Sequence, residues 1–185
     1  MKILILSHTR CGSTTLCKWL ADELNFKLDE TPYNSLFFKN IFELNNIIRK
    51  IVVEEYFPTK KDISSFDKVI CLFRDSGIDA AISFIIANKT NVWHDKYSVT
   101  QDWIDENKHQ IEKRALIYDY YKSKLKNYNV FNTTYENIFL NKKDINPILE
   151  YLNIKNPKHL YHLDNGGKYR KDSNIFKKIE ASKLI

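Results

Sequence analysis

The chain opens on an apolar run, Ile3 to Leu6, followed by a polar turn, Ser7 to Gly12. A short continuous apolar run bounded by a turn predicts a strand covered on both faces, here over 2–7. Leu16, Trp19, Leu20 and Leu24 then recur at helical spacing and predict a helix over 13–25. A second near-continuous run, Phe66 to Phe73, predicts a strand over 67–73 and is followed by a helical pattern over 77–88. The remaining pattern predicts strands at 50–56 and 128–133, a short one at 26–29, and helices at 36–48, 100–125 and 143–152. Alternating strands and helices imply an α/β fold, with a central parallel sheet flanked by helices in three layers. A length of 185 residues is most simply one domain over 1–185. The segment 89–99 lacks clean periodicity and is a candidate acceptor-site loop or lid.

Strand, tight turn and helix is the layout of a phosphate-binding loop, in which backbone N–H groups and the helix dipole favour an anion. Arg10 would supply a planar cation, Gly12 a close backbone approach, and Ser13, Thr14 and Thr15 hydroxyl donors. Against the nucleotide-triphosphatase spacing G-x-x-x-x-G-K-[ST], Ser7 takes the first glycine's place, Gly12 the second and Thr14 the Ser/Thr. Ser13 stands where the lysine belongs, which argues against ordinary ATP or GTP hydrolysis. A tyrosine-phosphatase register counted from Cys11 reaches Cys17 instead of an arginine. Arg74 falls at the carboxyl end of its strand, where open α/β sheets place ligands. Ser76 and Asp79 form a capping-box variant for the helix that follows.

The segment His8 to Leu16 resembles the 5′-phosphosulfate loop of sulfotransferases that use 3′-phosphoadenosine 5′-phosphosulfate (PAPS). Thr9 replaces that family's proline and Cys11 its first serine. Arg74 and Ser83 resemble the family's 3′-phosphate motif, with Ser83 nine positions after Arg74 instead of eight and Gly77 as the extra residue. Asn129 to Ile138 is similar to a later family element in which Tyr135 would lie near the adenine and Glu136 would be structural. Gly166 to Ser173 resembles a loop that closes over the nucleotide through Arg170 and Lys171, with Asp172 where glycine is expected. The resemblance implies a P-loop-type fold and a cofactor site of Arg10, Cys11, Gly12, Ser13, Thr14, Thr15, Arg74, Ser83, Tyr135, Arg170 and Lys171. It implies metal-free transfer of a sulfuryl group to a hydroxyl or amine acceptor, leaving adenosine 3′,5′-bisphosphate.

Such transfer needs a group to take the acceptor's proton. The strand expected at 50–56 offers Glu54 and Glu55 on opposite faces, and Glu55 is nearer its carboxyl end. His8 beside the loop is a second candidate and His94 a third. The expected catalytic set is therefore Arg10, Glu55 and His8.

A net charge of +6, from 29 basic and 23 acidic residues, is compatible with an anionic cofactor and an anionic acceptor, and the partner expected from the resemblance is a small-molecule or carbohydrate acceptor. Charge alone would also suit nucleic acid, but no helix-turn-helix, zinc or RNA-binding aromatic motif accompanies it, so none is expected. Three cysteines form no disulfide framework, no signal peptide precedes the first strand, and no apolar run reaches the ~20 residues of a membrane span. A cytoplasmic protein is the expectation. Two alternatives stay open: a nucleotide or nucleoside kinase with a degenerate P-loop, and a non-catalytic binding protein of the same fold.

Overall fold

The computed structural model describes residues 1–29, 45–90, 99–126, 128, 130–160 and 163. Among them, five parallel strands form one sheet in the order β2-β3-β1-β4-β5. These are β1 (Lys2–Ser7), β2 (Lys27–Asp29), β3 (Ile47–Val52), β4 (Lys68–Phe73) and β5 (Phe131–Thr134). The described helices are α1 (Ser13–Leu24), α2 (Lys60–Ser64), α3 (Gly77–Thr90), α4 (Gln101–Leu125) and α5 (Ile145–Tyr151). A single wide turn, Glu136–Leu140, closes with an i→i+5 bond from Asn141 N–H to the Glu136 carbonyl.

Ile3, Leu4, Ile5 and Leu6 are all fully buried because successive side chains enter opposite layers. Ile3 and Ile5 join Ile70 and Leu72 beneath Leu16, Trp19 and Leu20 of α1 and Ile148 of α5. Leu4 and Leu6 join Cys71 and Phe73 on the other face, against Ile63 of α2 and Leu125 of α4. A third cluster joins α3 to α4 through Ala80, Ala81, Ile85, Ile104, Ile111 and Tyr118. The expected α/β architecture with helices on both faces is thus observed.

The chain runs from β1 to β2 and β3 on one side, then to β4 and β5 on the other. The carboxyl ends of β1 and β4 therefore flank the switch point where such sheets open a crevice.

One region differs from the sequence pattern. Ile47 and Ile48, expected in a helix over 36–48, lie in β3, and residues 36–44 of that helix fall outside the described residues. The strand expected at 50–56 starts at Ile47 and ends at Val52. Arg49 and Lys50 interrupt its apolar pattern, yet both are accommodated: Arg49 pairs with Asp29 at 2.9 Å, and Lys50 Nζ donates to Thr14 Oγ1 at 3.0 Å. Beyond Val52 the β-branched run ends in a turn, because Glu55 and Tyr56 N–H both return to the Val52 carbonyl.

Gly12 ends the first turn with φ 82°, and a Cβ there would lie 2.7 Å from Phe139 Cε2 and 3.0 Å from Tyr135 Cδ2. Gly12→Ala meets both backbone strain and overpacking, so it should destabilise the protein by about 1–3 kcal/mol in denaturant unfolding.

Candidate functional site

The turn between β1 and α1 is held from several directions. His8 is buried, its ring stacked on Tyr118 at a centroid distance of 4.3 Å. Its Nδ1 lies 2.7 Å from the Thr9 carbonyl, which can only accept, so Nδ1 carries the proton. Nε2 then accepts the backbone N–H of Arg74 at 3.2 Å. Burial pushes the His8 imidazole down to about 4, opposed by the Thr9 bond and reinforced by nearby cations, Arg74 foremost. Thr9 donates its N–H and hydroxyl to Glu54 Oε1 at 3.0 and 2.9 Å, and its hydroxyl also meets the Tyr118 hydroxyl at 2.8 Å. The Cys11 thiol donates to the His8 carbonyl at 2.9 Å. Burial holds that thiol up to about 12, so Cys11 is a fixed donor and no nucleophile at neutral pH.

Arg10 lies in the left-handed region with φ 66°. Its carbonyl accepts Arg74 Nε–H at 3.0 Å, and its own Nε–H donates to Ser83 Oγ at 3.0 Å. The Arg74 guanidinium is 4% exposed, lies 4.2 Å from the Tyr135 ring centroid, and sits 3.7 Å from Glu136 Oε1. Burial pulls Arg74 down from its ordinary value, opposed chiefly by the carboxylate of Glu136. Glu136 Oε2 also accepts Asp75 N–H at 3.0 Å, and Lys122 Nζ donates to the carbonyls of Arg74 and Asp75 at 2.8 and 3.3 Å. The wide turn thus delivers a carboxylate to the tip of β4, and α4 delivers an ammonium.

The structure brings Arg10, Gly12, Ser13, Thr14, Thr15, Arg74 and Ser83 to this end of the sheet, Ser83 reaching it from α3. Ser13, Thr14 and Thr15 form the first turn of α1, whose N–H groups have no partner within the helix. Lys50 reaches Thr14 from β3, on the face of the sheet that α1 covers, so a cation absent from the loop arrives from a neighbouring strand. Gly77 opens α3 where a Cβ would meet Asp119 Oδ1 at 2.9 Å and the Ala115 carbonyl at 3.0 Å. Close packing on α4 accounts for a glycine at the ninth-residue gap.

Three expectations need correction. Glu54 and Glu55 do not alternate across a strand, since both lie in the turn after β3; Glu54 engages the loop and Glu55 is exposed. His8 has both ring nitrogens committed to backbone groups, which makes it a tether between two loops and not a proton acceptor. Tyr135 is 5% exposed and packed against Arg74, Phe139 and Gly12, so its ring offers no platform to an adenine. His94, Arg170 and Lys171 lie outside the described residues.

Arg114, Tyr118 and Lys122 were not singled out as site residues by the sequence. Arg114 donates to Glu54 Oε1 at 3.3 Å and to the Tyr118 hydroxyl at 3.1 Å, with its guanidinium carbon 3.9 Å from the Phe84 ring centroid. The three recur every fourth residue along α4, at 114, 118 and 122. A stripe of polar groups beside the buried Ile111 and Ala115 was the available signal.

No family model and no curated protein sequence matches the chain. Among solved structures, it is similar to mouse sulfotransferase SULT7A1 complexed with PAP, with a TM-score of 0.60 and 16% identity over 86% of this chain and 61% of that one. The chain therefore spans less than two thirds of that sulfotransferase's length, and the likeness at this identity is one of fold. It also matches the Bacillus subtilis YorR protein in complex with phosphorylated GDP, with a TM-score of 0.43 and 16% identity over 84% of this chain and 99% of that one. A deoxyadenosine kinase from M. mycoides with bound dCTP matches with a TM-score of 0.42 and 17% identity, over 83% and 99% of the two chains. No helix among the described residues is long and apolar enough to cross a membrane.

A histidine neutral in the fold at about 4 and ordinary in the unfolded chain at 6.5 makes the unfolded state bind the extra proton between those values. Stability is then fully present above pH 6.5 and falls as pH drops toward 4, by up to ~3 kcal/mol. His8→Gln, which can still accept the Arg74 N–H, should flatten this part of the stability profile in thermal melts taken across that range.

Proposed function

We propose that the chain is a sulfotransferase that takes a sulfuryl group from PAPS and transfers it to a hydroxyl or amine of a small molecule or carbohydrate. The observation that carries this reading is the 3.0 Å bond from Arg10 Nε to Ser83 Oγ. It joins the two segments whose residues resemble the phosphosulfate loop and the 3′-phosphate motif. A guanidinium and a hydroxyl held together suit a phosphate monoester, and the arginine fork matches its oxygens. At the other end, the first turn of α1 and the Lys50 ammonium beside Thr14 suit a second anionic group. The donor set therefore fits a nucleotide carrying anions at both its 5′ and 3′ positions. The absence of a lysine at Ser13 weighs against a nucleoside triphosphate.

PAPS supplies, when bound, a sulfuryl group activated by its phosphate leaving group. The α1 amides, Thr14 and Lys50 would hold the 5′ oxygens and stabilise charge developing on the leaving phosphate. Arg10 and Ser83 would hold the 3′-phosphate, and Arg170 and Lys171 would close over the nucleotide. His8 keeps its Nδ1 proton on the Thr9 carbonyl and fixes the loop. The acceptor's proton is assigned to Glu54 Oε2 in the turn after β3, which has only a 3.3 Å bond from Thr9 N–H, while Oε1 is held by Thr9 and Arg114. The fold shared with a sulfotransferase supports a transferase in general terms.

Calorimetric titration without metal should show adenosine 3′,5′-bisphosphate binding about ten- to hundredfold more tightly than 5′-AMP, the worth of one or two charge-assisted hydrogen bonds. A preference for magnesium-ATP over the bisphosphate would overturn the reading.

A further inference from the structure

Arg10 is a non-glycine residue held at φ 66°, a conformation that persists only where its surroundings impose it. At this residue the carbonyl accepts Arg74 Nε–H at 3.0 Å. Arg74 is itself held through its backbone, its Nε–H and the face of its guanidinium. Its backbone N–H binds His8 Nε2, its carbonyl receives Lys122, and Tyr135 lies 4.2 Å from its guanidinium carbon. Its Nη1 is buried without a hydrogen-bond acceptor and faces a protein carboxylate, Glu136, at 3.7 Å. At 4% exposure, Arg74 has little surface with which to fork onto a phosphate, whereas Arg10 is partly exposed and already bonded to Ser83.

We propose that Arg74 is a positioning residue: it sets the backbone of Arg10 so that the Arg10 guanidinium, with Ser83, meets the 3′-phosphate. This rests on the nucleotide site described above, and the chain departs here from the arrangement its resemblance implies, in which Arg74 itself contacts that phosphate. The loop arginine becomes the ligand-touching cation, and the strand-tip arginine becomes its support.

Two measurements test this. In the unliganded protein, Arg74→Ala should speed amide hydrogen exchange at residues 9–13 while α3 and α4 stay protected, and Arg10→Ala, which keeps the carbonyl, should not. Unchanged exchange in Arg74→Ala overturns the proposal. Where Arg74→Ala does not fold, Arg74→Lys keeps the charge and the aliphatic packing but removes the Nε–H, and the same criterion applies. Titration with adenosine 3′,5′-bisphosphate then compares Arg10→Ala, Arg74→Lys and the double variant.

Each single change should weaken binding by about tenfold or more, and the double by no more than about twofold beyond Arg10→Ala. Wild-type affinity in Arg74→Lys, or losses that multiply, would show that Arg74 acts on the phosphate independently and would overturn the proposal. If the unaltered protein binds no bisphosphate, the function reading fails, while the exchange experiment still decides whether Arg74 governs Arg10. Arginine Nε–H exchange in the unaltered protein requires no variant: the Arg74 Nε–H should be protected, and rapid exchange there contradicts the bond on which the proposal stands.

Discussion

The site depends on a guanidinium placed almost wholly inside the protein. Removing Arg74 from water is costly, and the cost is met only because ring, carboxylate and carbonyl groups from separate elements surround it. Tyr135 and Glu136 come from the end of β5, the Arg10 carbonyl from the turn after β1, and His8 takes the backbone N–H. Each of these is also fixed by its contact with Arg74. Two loops at the carboxyl ends of neighbouring strands are thereby locked to one another. A small displacement of either would leave a buried charge or a buried carbonyl without its counterpart.

Around this centre, charge is arranged in alternation. Glu54 lies between Thr9 and Arg114, and Glu136 between the Asp75 N–H and Arg74, while Lys122 satisfies the strand-tip carbonyls. The carboxylates are occupied with loop amides and arginines, so they do not cancel the cations at the mouth of the site. Preorganised dipoles of this kind act on a bound anion with little reorganisation. The same arrangement explains why His8 stays neutral: it is buried beside several cations, and its Nε2 accepts the Arg74 N–H.

The strands β1 and β4 were legible in the sequence because apolar runs covered on both faces leave a continuous signal. Strand β3 was expected three residues late, since Arg49 and Lys50 stand in its middle, and the groups that accept them, Asp29 and Thr14, come from other elements. The turn between a strand and a helix was legible, and so was Arg74 as a residue at the tip of its strand. The meeting of Arg10 with Ser83 was hidden, because it follows from a left-handed turn at a residue other than glycine, which spacing does not reveal. Glu54 and Glu55 were adjacent and chemically alike, and only the end of β3 at Val52 separates their surroundings. Tyr135 carried an aromatic label in the sequence, but whether a ring offers a face or has its faces covered is decided by what packs on it.

The contact of Gly12 with Phe139 and Tyr135 bears on how the molecule comes to exist. Residues at the start of the chain take their final shape against rings that emerge from the ribosome more than a hundred residues later, and the Thr9 hydroxyl waits for Tyr118, 109 positions away. The turn between β1 and α1 is therefore a late product of assembly, closed only when β5 and the wide turn after it dock. Until then the partly made chain holds Arg10 and Lys50 without the packing that fixes their surroundings, and long sequence separations of this kind slow the approach to the finished fold.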